Sequence, residues 1–224
     1  MSNLAALQKQ ITACELCPRL REHCRRVAEE KRRAYRDQEY WGRPVPSFGD
    51  PAARLLIVGL APGAHGANRT GRMFTGDASG DFLYAAMHSM GWASQPTSTH
   101  RGDGLTLIDC YITASGRCAP PDNKPLPAEL AACRPYLEAE LRLLKNVRVA
   151  MALGRIAFDT CLTVYGVAAK SRYEFGHGRV HDLGAGKPVL ISSYHPSQQN
   201  TSTGRLTQAM LQDVFRRCRQ IIDA

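Results

Sequence analysis

Cys14 and Cys17 form a C-x-x-C pair followed at once by Pro18, while Cys118 and Cys133 stand far along the chain. Thiolates at the first spacing can grip one metal centre. The second pair lacks that spacing, so paired zinc knuckles fit poorly. Four thiolates that include a Cys-Pro step suit an iron–sulfur cluster better. A centre held this way would clip the N-terminal segment, residues 1–50 in outline, onto the middle of the chain. Cys24 is the one rival ligand. Cys110, in a strand, and Cys161 and Cys218, on apolar helix faces, read as small hydrophobes.

Three polar segments carry the other side chains able to do chemistry. The first, GLAPGAHGANRTGRMFTGDASGD from Gly59, lacks both the Gly-Lys-Ser/Thr ending of a nucleotide loop and the G-x-G-x-x-G of a dinucleotide site. Its Gly63, Gly66 and Gly71 let backbone approach a ligand closely. Asp77 offers a carboxylate base, or equally the N-cap of a helix starting near Ser79. Phe74 offers a flat surface to a base, or plain core packing. The second segment, ASGRCAPPDNKP, holds Asn123, whose amide can read a base edge or close an Asx-turn between Pro121 and Pro125. The third, SYHPSQQNTSTGR, places His195 directly after an apolar strand. A neutral imidazole there can hydrogen-bond a developing anion; a structural histidine is the plainer alternative. Gln198, Gln199, Asn200 and Thr201 suit a nucleic-acid groove, with Arg205 and the amides of the next helix on phosphates. A surface loop is the alternative.

These segments need a scaffold. Apolar runs at Arg54–Leu60, Leu105–Ile112, Val147–Leu153 and Pro188–Tyr194 read as buried strands. Helical patterns lie at Leu4–Cys24, Ser79–Met90, Gly154–Tyr165 and Thr203–Ile222, with a further helix that has Pro135 in its first turn. Gly42–Pro51 reads as an ordered arm. Strands alternating with helices imply a parallel, doubly wound sheet covered on both faces. All three polar segments then fall at the carboxyl ends of strands, where ligands bind in such sheets.

The bulk properties agree. The chain has 224 residues and a net charge of +9, with a pI near 9.3 and a mean hydropathy of -0.30. One domain with a sizeable core is expected, and the charge favours a polyanionic partner. No run is long enough to span a bilayer. Eight cysteines and a start, MSNLAALQKQ, without secretory character point to a cytoplasmic chain whose thiols are free or metal-bound. Arg19, Arg21, Arg25, Arg26, Lys31, Arg32, Arg33 and Arg36 crowd one stretch among Glu22, Glu29, Glu30 and Asp37, which reads as a solvated face with internal ion pairs.

The segments GLAPGAHGANRTGRMFTGDASGD, RCAPPDNKP and SYHPSQQNTSTGRLT resemble the motifs of type B (family 5) uracil-DNA glycosylases. CELCPRL and the Cys118/Cys133 pair are similar to that family's cluster ligands, and the resemblance runs from Cys14 to Phe215. Family 4 enzymes carry a glutamate where this chain has Leu60. The stretch Leu60-Ala61-Pro62-Gly63 also lacks the Asp or Asn with which other superfamily members position water. The resemblance therefore implies Asp77 as the water-guiding carboxylate and His195 as the partner of a uracil oxygen. It further implies Asn123 and Gly63 in base binding, Phe74 as a stacking surface, and a [4Fe–4S] cluster on Cys14, Cys17, Cys118 and Cys133. The implied fold is a three-layer α/β/α sandwich around a four-stranded parallel sheet. The implied activity is monofunctional removal of uracil, and of hypoxanthine or other deaminated bases, from DNA in base excision repair. A monomer associated with the nucleoid is expected. The alternative is a non-catalytic module that binds damaged DNA.

Overall fold

The computed structural model describes residues 3–224; the first two residues of the N-terminal segment lie outside the described residues. One sheet organises the chain. Four central strands, β2 (Leu55–Gly59), β3 (Cys110–Ala114), β4 (Val149–Leu153) and β6 (Val189–Ser193), run parallel. Two short antiparallel edges, β1 (Phe48–Gly49) and β5 (Arg179–His181), extend them to the order β1-β3-β2-β4-β6-β5. The four parallel strands match the expectation, and the two edges correct the count to six. Both edges, two and three residues long, are too short to register as apolar runs, and short edges limit further pairing.

Alternate residues of the parallel strands serve opposite layers. Leu55, Ile57, Ile112, Met151 and Ile191 pack into one apolar cluster, with residues of α4 (Ala78–Ser89) and α8 (Gln208–Asp223). Leu56, Val58, Tyr111, Ala150 and Leu190 pack into the other, with residues of α5 (Pro127–Leu143) and α6 (Arg155–Val164). Helix α1 (Leu4–Thr12) lies on α5. This is the expected α/β/α sandwich.

Element ends differ from the sequence reading for local reasons. The Leu4–Cys24 helix is broken at the C-x-x-C, and α2 (Pro18–Glu30) restarts with Pro18 at its first turn. Helix α5 starts at Pro127, not near Pro135. Glu129 accepts from the Leu126 amide at 2.7 Å and fixes that start, leaving Pro135 exposed within the helix. The run Leu105–Ile112 is a strand only from Cys110. Leu105 and Leu107 are buried in the preceding loop. The last helix begins at Gln208 behind the Thr207 cap, and the polar segment before it forms a separate short helix, α7 (Gln198–Ser202).

A buried ion pair joins these layers. Arg117, just past β3, meets Glu140 of α5 at 2.5 Å, the side chains being 2 % and 0 % exposed. Glu140 also accepts from Thr113 at 2.6 Å, from Ser47 at 2.5 Å and from Gln8 of α1 at 2.9 Å. Arg117 donates to Thr113 at 2.7 Å and to Ser47. A charge pair this deep tolerates no missing partner. Glu140→Gln is therefore expected to lower unfolding stability by about 3–5 kcal/mol, read from the denaturant midpoint; a loss under about 1 kcal/mol would contradict this role.

Candidate active site

The loop after β2 turns through α3 (Ala67–Thr70) and returns to the start of α4, where Asp77 is the N-cap. The cap uses only one of its two carboxylate oxygens. Asp77 Oδ1 accepts from the Gly80 amide at 3.0 Å. Oδ2 turns toward the loop, where a Cβ on Gly63 would lie 3.0 Å away and one on Gly66 only 1.8 Å away. The two glycines are thus the space that the carboxylate occupies. Burial raises the Asp77 pKa, opposed by the Gly80 and Ser79 amides and the Arg69 charge, while the Asp81 charge reinforces the rise.

Phe74 holds a left-handed backbone conformation, φ 52°, a costly one for an aromatic residue. Its ring faces His195, with centroids 5.9 Å apart and planes at 33°. Burial pushes the His195 pKa down to about 4, so the ring is neutral at physiological pH. Asn200 Nδ2 donates to the His195 carbonyl at 2.8 Å.

The other expected residues divide. Asn200 and Thr201 direct their side chains into their own segment, Thr201 Oγ1 donating to the Ser197 carbonyl at 3.2 Å. Gln198, Gln199 and Arg205 are exposed, and the Arg205 guanidinium lies 4.7 Å from the Tyr194 ring centroid. Asn123 sits exposed on the 3-10 turn Pro121–Asn123, φ 56°. Backbone bonds from the Asn123 and Lys124 amides close that turn. Among the described residues its side chain makes no hydrogen bond to Phe74, Asp77 or His195.

One residue of this site escaped the sequence reading. Arg69, 7 % exposed, donates to the carbonyls of His65 at 2.7 Å and Gly76 at 2.6 Å, and to Gln38 Oε1 at 2.5 Å. It thereby fixes the residue directly before Asp77. An arginine on a one-turn helix inside a glycine-rich loop was the available signal, since such a cation needs several carbonyls to be buried.

Cys14, Cys17, Cys118 and Cys133 all line one small hollow of about 20 Å³, with Leu16, Leu20, Pro44, Pro125 and Leu130 among its walls. No three ligand-type side chains among the described residues are placed to hold a single metal ion. Four thiols gathered around one apolar hollow are the donor set of a thiolate-held group instead. Cys24 is fully buried, contacts the Ala119 carbonyl at 3.6 Å and does not line the hollow. The basic stretch beside it is less paired than expected. Arg21 and Arg25 meet Glu15, and Arg19 meets Glu129. Among the described residues Glu22, Glu29, Glu30 and Asp37 join no ion pair.

A family profile described as the uracil DNA glycosylase superfamily matches residues 46–219. The chain belongs to the uracil-DNA glycosylase superfamily, and its place within it is set by closer relatives. It is 53% identical over 220 residues to the type-5 uracil-DNA glycosylase of Mycobacterium leprae, covering 98% of this chain and 96% of the relative. It is 52% identical over 216 residues to that of Thermus thermophilus, covering 96% and 97%. A type-4 uracil-DNA glycosylase of Pyrobaculum aerophilum matches at 33% over 71% of this chain and 74% of its own length. The chain is thus a member of the type-5 group.

Two measurements check the geometry. In an NMR titration the His195 ring is expected to keep its neutral signals down to about pH 4; a midpoint near the ordinary 6.5 would remove the neutral-donor role. Gly66→Ala displaces the Asp77 carboxylate and should slow base excision about a hundredfold with the fold retained; full activity would mean that this contact does not place Asp77.

Proposed function

We propose that the chain removes uracil from DNA by hydrolysing the bond between base and deoxyribose, Asp77 and His195 being the groups that act on it. A base inside a duplex is out of reach, so the nucleotide turns out into the cleft first. Bond cleavage builds positive charge on the sugar and negative charge on the departing base. The Asp77 Oδ2 carboxylate, facing the glycine loop, stabilises the sugar cation and guides the attacking water. The raised pKa of Asp77 means that it must be deprotonated above the usual carboxylate range, so activity falls on acidification from its raised pKa downward. The neutral His195 ring donates to the base oxygen without first losing a charge of its own. Phe74 stacks on the base, and Asn123 supplies base recognition from the loop after β3. Hypoxanthine and other deaminated bases fall within the same hydrogen-bonding scheme.

The observation that carries this reading is the division of Asp77: one oxygen on the Gly80 amide, the other over the glycine loop, while the Phe74 ring three residues earlier in the chain packs against the His195 imidazole. A damaged-DNA-binding module without activity has no use for that arrangement. The four cysteines around the apolar hollow support a [4Fe–4S] cluster on Cys14, Cys17, Cys118 and Cys133. Bound there, it would supply thiolate bonds that tie residues 14–17 to β3 and α5 and make 1–224 one domain. DNA is the partner that the charge favours. No helix among the described residues is long and apolar enough to cross a membrane.

Asp77→Asn is expected to abolish excision on a uracil-containing duplex while leaving DNA binding nearly intact; unchanged turnover would reduce Asp77 to a cap. His195→Ala should cost roughly a hundred- to thousand-fold in rate on uracil and less on a better leaving group. Equal slowing would argue against contact with the base. Cys118→Ser should yield colourless, poorly folded protein with no bound iron, and Cys24→Ser should keep the colour; the reverse result would exchange their roles.

A further inference from the structure

The residues 31–39 leave α2 and cross the outer side of the loop that carries Arg69 and Asp77. Their placement is built, not loose. The Tyr35 ring lies 3.9 Å from the Arg69 guanidinium, and Gln38 Oε1 accepts from the same group at 2.5 Å. The Tyr40 hydroxyl meets His65 Nδ1 at 3.1 Å and accepts from the Arg32 amide at 3.3 Å. On this anchored strap stand Lys31, Arg32, Arg33 and Arg36, the three arginines exposed. None of the four joins an ion pair among the described residues, whereas Arg19, Arg21 and Arg25 of α2 all do. Asp37 and Glu39, the strap's own carboxylates, are exposed and equally unpaired. Holding four cations together without carboxylate partners costs self-repulsion, which a polyanion relieves.

We infer that the strap is a phosphate clamp: Arg32, Arg33 and Arg36 hold the DNA backbone beside the turned-out nucleotide. It sits on the β2 side of the cleft, and Gln198–Arg205 follows β6 two strands away in the sheet, so the duplex is held from both flanks. Charge complementarity selects backbone phosphates, because guanidinium groups clustered on and beside the 3-10 turn Arg33–Tyr35 contact a repeating anion without reading bases. The inference rests on the DNA-directed activity proposed above. It also gives the cysteine-held N-terminal segment a purpose beyond stability, since the strap is continuous with α2 and Cys17.

The test uses the full chain and a triple variant, Arg32→Ser, Arg33→Ser and Arg36→Ser. Binding to an undamaged duplex is followed by fluorescence anisotropy over a range of salt. Affinity should fall roughly tenfold or more near physiological salt, and the slope of log affinity against log salt should flatten by about 2–3. On a uracil-containing duplex KM should rise far more than kcat falls. Arginine-to-lysine changes at the same three positions should restore the slope. A matched loss of charge at Arg142, Lys145 and Lys187, at the opposite end of the strands, should leave it unchanged. An unaltered slope in the serine variant, or an equal change in the distant one, overturns the clamp. Anisotropy needs no excision, so a clamp-dependent slope in a chain that removes no uracil would overturn the activity and leave the clamp standing.

Discussion

The Arg117–Glu140 ion pair is the interaction on which the other parts depend. It is fully enclosed, and Thr113, Ser47 and Gln8 meet its other groups except the Arg117 Nε, which has no partner among the described residues. Each partner comes from a different piece: the strand at the sheet's centre, the arm before β1, and the first helix. Isolated charges cannot survive at that depth, so all five groups assemble together or not at all. Arg117 directly precedes Cys118, and Glu140 lies two turns beyond Cys133 on the same helix. The pair therefore sets where those two thiols stand before any cluster binds.

The site shows a second economy. A cap and a catalytic carboxylate are usually weighed as alternatives, yet a carboxylate has two oxygens. At Asp77 the helix takes one and the other lies against the glycine loop. The cost is borne by the loop, which must present bare backbone at Gly63 and Gly66, and by Arg69, which needs three carbonyl or amide oxygens to be buried beside it. Arg69 also connects the site to residues 35–38. The active-site loop and the N-terminal strap are accordingly one packed unit.

Much of the fold was legible because its cause is local. The four parallel strands are buried on both faces and so are continuous apolar runs, which periodicity finds readily. The cysteines, Asp77 and His195 announced themselves by type and by the loops that carry them. The edges β1 and β5 did not, since two- and three-residue strands have no pattern. Pro135 misled the helix start because a proline within a helix and one at its first turn look alike in sequence. The polar run after His195 was legible as polar but not as α7, whose Ser197 cap turns Asn200 inward.

Sequence by itself determined the class of sheet, the four thiols, the polar loops at the strand ends and the surplus of positive charge. These follow from residue type and short spacing. Only tertiary structure decided that Asp77 caps and faces the glycines at once, that Arg69 braces the residue before it, that Cys24 packs beside Cys118 without lining the hollow, and that the strap's arginines go unpaired. Each of those outcomes depends on which surfaces meet across long stretches of chain, and no local pattern of side chains encodes such a meeting.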